Sequence, residues 1–455
     1  MDGGCLGWSV VFASHLCFVF IFGVYQASGP LFVAIQKHFD ETSERISWIL
    51  SLEAFIQWGF GPLSNVHVEA LGYRLTALIG TAMSSTGLFL CAFAPSVEFL
   101  YFSFGILVGL GYAIIMPATF GIVALYIKRR YAFANSMVCL GSAIGVFAFP
   151  PLLQLLIDSY GWKGAVILFS GINAHMLISA TIYRMPKEQH ESQSKQQGRD
   201  GSAMSKLGIL KKIVRNFGFY LLRGRPVMVG YAVANVVAVG MGTIGTPAHL
   251  LLRAETHNIG TSEDIAFLVS IYGIGTAAGR PLAPLLSHAV RSHMSNARLF
   301  SINLIVVGLI NIVSSAATAY LSYAIYAFCL GVAQGMCYTL WSQLTRDLVG
   351  PELMTAGIGL TAFCVGIGGL VGPPLAGVIY DTTGEYNNSF YFYGSVTVFG
   401  ALVLLIVDAR YSKQQQRHTQ EHEDNNNVTL VIESTVADNR LGVLNIATQT
   451  EEDGT

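Results

Sequence analysis

Charge is scarce in this chain. Of its 455 residues only 12% are Asp, Glu, Lys or Arg, about half the roughly 25% of an ordinary soluble domain. That shortage excludes a surface kept in solution by ion hydration. The near balance of 26 basic and 27 acidic residues supplies no overall basic field for nucleic acid. Cysteine is scarce too: Cys5, Cys17, Cys91, Cys139, Cys329, Cys337 and Cys364 lack metal-ligand spacing and read as small packing residues. No basic stretch precedes the first apolar run and no small-residue cleavage site follows it, so the run reads as a retained helix. No span or loop gathers a nucleophile, a base or a metal set, which argues against an enzyme. No cofactor and no metal are implied.

What is present in abundance is apolar sequence, 53% of the chain. Stretches of about 20 apolar residues, each long enough to cross the hydrocarbon core as a helix, recur twelve times. They are Gly7 to Leu31, Ile46 to Val66, Arg74 to Ala94, Phe99 to Tyr126, Tyr131 to Ile157, Ala165 to Tyr183, Val227 to Leu251, Ala266 to Ser287, Leu299 to Ala317, Ser322 to Leu344, Leu353 to Ile379 and Phe390 to Val407. The expected fold class is therefore an all-α membrane protein with twelve transmembrane helices, its bulk partner the lipid bilayer.

Basic residues orient such a chain. If the N-terminus is cytoplasmic, 21 of the 26 Lys and Arg fall in inner segments, and only Lys37, Arg45, Lys163 and Arg253 lie outside. Both termini are thus expected in the cytosol. Lys128, Arg129 and Arg130 make an inner positive cluster suited to fixing topology and holding anionic headgroups.

Internal similarity divides the chain. "PPLLQLLIDSYG" at 150–161 and "PPLAGVIYDTTG" at 373–384 share Pro-Pro-Leu, Asp and Gly at a constant offset of 223 residues, and Gly145 and Gly368 match at the same offset. A duplicated six-helix unit follows. Two pseudo-symmetric six-helix bundles joined by a long loop describe the major facilitator fold, in which a central site is exposed to each face in turn. The expected domains are an N-terminal bundle at 1–185, a cytoplasmic linker at 186–225, a C-terminal bundle at 226–410 and a polar tail at 411–455. The linker is rich in Gln, Ser and Lys and cannot bury apolar area. Its end, "LGILKKIVRNFGFYLLRGR", reads either as an interfacial helix or as a solvated basic loop. Pro150, Pro151, Pro373 and Pro374 are expected to interrupt helices in both halves.

Several motifs resemble the monocarboxylate transporter family over nearly all of residues 1–410. "YIKRRYAFANSMVCLGSAIG", Tyr126 to Gly145, is similar to the family's fifth-helix signature, with Ile127 in place of an aromatic. "DLVGPELMTAGIGLTAFCVGIGGLVGPPLAGVIYDTTGEYNNSF", Asp347 to Phe390, resembles its eleventh helix and flanks. "DGGCLGW", Asp2 to Trp8, is a degenerate copy of the motif leading into its first helix. "AFLVSIYGIGTAAGRP" resembles the eighth helix, whose arginine pairs with the substrate carboxylate, and Arg280 is the matching position. Proton-coupled members carry an aspartate four residues earlier, where this chain has Thr276. Lactate carriers place a lysine in the first helix, where Gln26 aligns. The resemblance implies a small organic anion as substrate, the plasma membrane as location, and for some members a single-span immunoglobulin-type ancillary partner.

The physical reading of the same residues is compatible. An arginine at a helix centre costs roughly 2.5 to 3.5 kcal/mol, so such residues face a cavity or a partner, and a guanidinium matches a carboxylate bidentately. Tyr272, Thr276 and Arg280 recur every four residues and share a face. Gly275 and Gly279 read as close-packing positions rather than a nucleotide loop, which requires a preceding strand. Glu53, the one acid deep in a span, is the candidate for ion coupling. Tyr338, Trp341 and Ser342 on the tenth span are candidate pocket residues, with Gln26 on the first. His15 and His175 read as hydrogen-bonded packing residues. The function expected is secondary transport of a monocarboxylate or similar anion by alternating access. Its rivals are a proton-independent carrier of a larger carboxylate or zwitterion, such as an aromatic amino acid, and a transporter-like sensor that binds without translocating.

Overall fold

The computed structural model describes residues 4–127, 130–184, 215, 217–290, 293–350 and 353–411. Among them there is no strand. Nine helical segments are long and apolar enough to cross a membrane, and two glycines join spans that the sequence separates. Gly72 (φ 77°) and Gly161 (φ 69°) reverse the chain so tightly that consecutive spans run on as one segment. A left-handed φ costs an L-residue roughly 1–2 kcal/mol, and glycine avoids that.

Divided there, the spans are α1 (Gly4–Phe39), α2 (43–71, broken at Phe60), α3 (73–91), α4 (Val97–Tyr126), α5 (131–160) and α6 (162–182). The second half comprises α7 (Pro226–Thr256), α8 (Ser262–Val290), α9 (Asn296–Ala316), α10 (Tyr320–Val349), α11 (Met354–Thr383) and α12 (Tyr386–Tyr411). Local chemistry starts several of them. Thr42 and Ser295 accept from the N–H groups of Arg45 (3.3 Å) and Arg298 (3.2 Å), and Thr261 and Asp264 bond reciprocally ahead of α8.

Glycines set how closely the helices approach. A Cβ on Gly145 would strike the Val19 carbonyl and Gly23 in α1, and one on Gly368 would strike the Val236 carbonyl and Gly240 in α7. The two repeat-related glycines thus make the same kind of contact in each half. Between α8 and α10 the arrangement is mutual: Gly275 and Gly279 abut the carbonyls of Phe328 and Val332, while Gly331 and Gly335 abut those of Tyr272 and Thr276. Where apolar area gives little drive between helices in lipid, such approach supplies the packing.

Two expectations need correction. Pro150, Pro151, Pro373 and Pro374 lie inside unbroken helices, because neighbouring helices tolerate the missing N–H bond. Arg253, expected in an outer loop, is fully buried in the last turn of α7. Its guanidinium donates to Ser314 Oγ (2.9 Å) and to the Ser314 carbonyl (2.6 Å), and it faces the rings of Tyr323 and Phe390 at 5.1 and 4.8 Å.

Side chains bridge the two sequence-related halves at the face where α1 ends and α2 begins, called the far face below. There Lys37 pairs with Glu255, Ser43 Oγ meets Tyr386 Oη at 3.2 Å, and Asp381 accepts from the N–H groups of Ser43 and Glu44. Most of the expected linker and all of the tail beyond Tyr411 lie outside the described residues, as does any interfacial helix there before Arg215.

Candidate functional site

Arg280 sits five turns into α8, counted from the far face, on the side turned toward α5. Its Nη1 donates to the Cys139 carbonyl, and its Nε has no partner among the described residues. No carboxylate there pairs with it. A cation held between two bundles by one carbonyl keeps most of its donors for something else.

The residues predicted to accompany it divide. Thr276 is buried, and its hydroxyl is spent on the Tyr272 carbonyl (3.0 Å) within its own helix. Tyr272 is buried and donates to Gln334 Oε1 at 2.6 Å, with the Gln26 amide beside the same hydroxyl. Gln26 therefore belongs to the wall shared by α1 and α8. Tyr338 and Trp341 turn toward Trp58 of α2, stacked at 6.4 Å and edge-on at 6.3 Å, and the indole N–H of Trp341 has no partner among the described residues. Ser342, next along α10, is half-buried.

Glu53 is fully buried in α2, and neither carboxyl oxygen has a hydrogen-bond partner among the described residues. One turn on, Gln57 Oε1 is likewise unmatched. Of the basic cluster, Lys128 and Arg129 lie outside the described residues, and Arg130 is exposed at the start of α5. His15 and His175 are bonded to main-chain carbonyls, Met137 at 2.7 Å and Gly171 at 3.0 Å.

Sequence reasoning passed over α7. Its helix lapses at Ile244 and Gly245 in mid-span and restarts at Thr246, beside a small cavity lined from both halves by residues including Tyr25, Gln26, Ser47, Gly245, His249 and Pro373. The signal was available in "IGTPAH", where Gly245 and Pro247 punctuate an apolar run as they do in discontinuous spans.

A family model described as Major Facilitator Superfamily matches residues 14–373 and 265–444 of this chain. The chain is 30% identical over 416 residues to monocarboxylate transporter 2 of Mus musculus, covering 90% of this chain and 85% of that protein. It is 29% identical over 405 residues to monocarboxylate transporter 13 of Bos taurus, with 89% of each covered. Among solved structures it resembles a POT family transporter in complex with 5-aminolevulinic acid, with a TM-score of 0.67 at 13% identity, covering 90% of this chain and 98% of that one. At that identity the likeness concerns the fold alone.

Proposed function

The chain belongs to the monocarboxylate transporter family of the major facilitator superfamily, and from that premise we propose that it carries a small organic monoanion across the membrane by alternating access. It is a secondary transporter and not an enzyme. The observation that carries the substrate reading is Arg280, a cation between the halves with no carboxylate partner among the described residues. A substrate carboxylate supplies the missing charge with two parallel hydrogen bonds. Tyr272 shapes the wall above it, while Thr276, which gives its hydroxyl to the backbone, serves as a small neutral neighbour.

The far face is taken as extracellular and both termini as cytoplasmic, in the plasma membrane, on the basic-residue asymmetry. The domain limits at 185, 225 and 410 belong to the same reading, as do Tyr338, Trp341 and Ser342 as path-lining residues and Lys128, Arg129 and Arg130 as a headgroup-binding and gating cluster. Glu53 is assigned any ion coupling, because an unmatched carboxyl in the membrane interior is suited to taking up and releasing a proton. An ancillary single-span partner of the immunoglobulin type fits the family resemblance.

Uptake of a carboxylate panel into vesicles, with and without an inward proton gradient, tests the reading. Arg280→Ala is expected to abolish uptake; equal uptake by the variant and the parent would remove the carboxylate clamp.

A further inference from the structure

The interruption in α7 has unmatched polar groups gathered round it. His249 is 1% exposed, and neither ring nitrogen has a hydrogen-bond partner among the described residues. Three rings pack on it, Phe32 at 6.3 Å, Tyr386 at 6.0 Å and Tyr393 at 5.6 Å between centroids. The Tyr393 hydroxyl is also unmatched, and it lies against Gly245, where a Cβ would strike it.

A neutral imidazole offers one donor and one acceptor, and a phenol offers both. Leaving all of these without partners in a dry interior is costly, and buried polar groups are rarely left so. Irregular backbone at membrane depth is itself tolerated where it lines a cavity; His249 and Gly245 line the cavity already described, and Tyr393 packs behind them.

The chemistry of the wall narrows the occupant. None of the residues lining this cavity is acidic. The restart of α7 at Thr246 turns the positive end of an 11-residue helix toward Gly245 in this wall. A second, apolar cavity adjoins it, sharing Ser28, Phe32 and Leu50. A polar wall beside an apolar one matches an electron-rich oxygen on an otherwise apolar body.

We propose that this cavity is a second ligand station, where His249 hydrogen-bonds an oxygen that the substrate carries remote from its transported carboxylate, a hydroxyl or a second carboxylate. The station rests on the carboxylate reading above and adds selectivity to it. Arg280 lies two turns, about 12 Å, beyond Tyr272 along α8, so a small substrate meets the two stations in turn.

The test is uptake by the purified full chain in proteoliposomes of three phenylacetates, bearing at the para position a methyl, a hydroxyl or a carboxymethyl group. The wild type is expected to take up at least one of the two oxygen-bearing probes about tenfold faster than the methyl probe at low concentration. Which one it prefers identifies the group. His249→Phe keeps a ring of similar size and is expected to bring the three rates together. His249→Gln, which retains a donor and an acceptor, is expected to fall between, and it supplies the reading if the Phe variant fails to assemble. No preference in the wild type, including no uptake of any probe, overturns the proposal, as does a preference that survives in the His249 variants. Arg280→Ala separates the two ideas: wild-type uptake of all three probes there would remove the clamp while the ratio among the probes still reports on His249.

Discussion

The carboxylate of Asp381, in the last turn of α11, accepts hydrogen bonds from the backbone N–H groups of Ser43 at 3.2 Å and Glu44 at 3.0 Å, the first residues of α2. One acid of the second half thereby caps a helix of the first, and it does so at the face that must part for the site to open there. Its repeat-related counterpart, Asp158, accepts from Gln154 of its own helix instead, so the latch is one-sided.

Removing the charge from Asp381 should therefore bias the carrier toward the state open at the far face. A carboxylate at a helix start contributes about 0.3–1 kcal/mol, and up to about 2 when partly buried. Asp381→Asn is expected to raise far-side labelling of a cysteine placed at Ser47 by roughly two- to tenfold. Labelling by an impermeant thiol reagent, compared with the same cysteine in the Asp381 parent, measures it.

The seam between α8 and α10 admits no side chain. Gly279→Leu must push Val332 away across its whole backbone, and a loss of roughly 1–3 kcal/mol or failure to assemble is expected. Gly171→Ala is the contrast, since a Cβ there meets nothing within 4 Å and the helix gains roughly 0.5–1 kcal/mol. Thermal unfolding of the two proteins in detergent should move in opposite directions.

The hairpin glycines act through the backbone alone. At Gly72 and Gly161 a Cβ would meet no atom within 4 Å, yet φ is positive at both. Alanine at either is expected to cost about 1–2 kcal/mol from conformation rather than collision. A melting temperature unchanged in both variants would contradict that account.

Arg253 is a structural cation in this reading, clamped by both oxygens of Ser314 and two aromatic faces. Arg253→Lys keeps the charge but loses the fork geometry and the planar contact with the rings. A stability loss of about 2 kcal/mol is expected, with the relative uptake of different carboxylates little altered. A large change in substrate preference would instead make Arg253 part of the path.

For Glu53, replacement by glutamine keeps the shape and removes the exchangeable proton. If coupling runs through this group, Glu53→Gln should lose stimulation by an inward proton gradient while carboxylate exchange without a gradient persists. Stimulation equal to that of the wild type would assign coupling elsewhere.

Composition was enough for the twelve spans, because a span must be apolar over its whole length, and the family was legible only through the resemblance of motifs such as the one ending at Arg280 and Pro281. That Gly275 and Gly279 are close-packing positions was legible from their spacing on one helical face; that α10 returns the contact through Gly331 and Gly335 was not. Partners across the bundle were not legible. That Thr276 spends its hydroxyl on its own backbone, that Arg253 is enclosed by rings and a serine, that the helices run on through their prolines, and that Asp381 bridges the halves at the far face through α2 all depend on which helices become neighbours. His249 makes the point most sharply, since a histidine in an apolar run has no meaning until the structure surrounds it. Whether its nitrogens are matched is decided by other helices, α1 and α12 among them, and the described residues leave both nitrogens unmatched at the edge of a cavity.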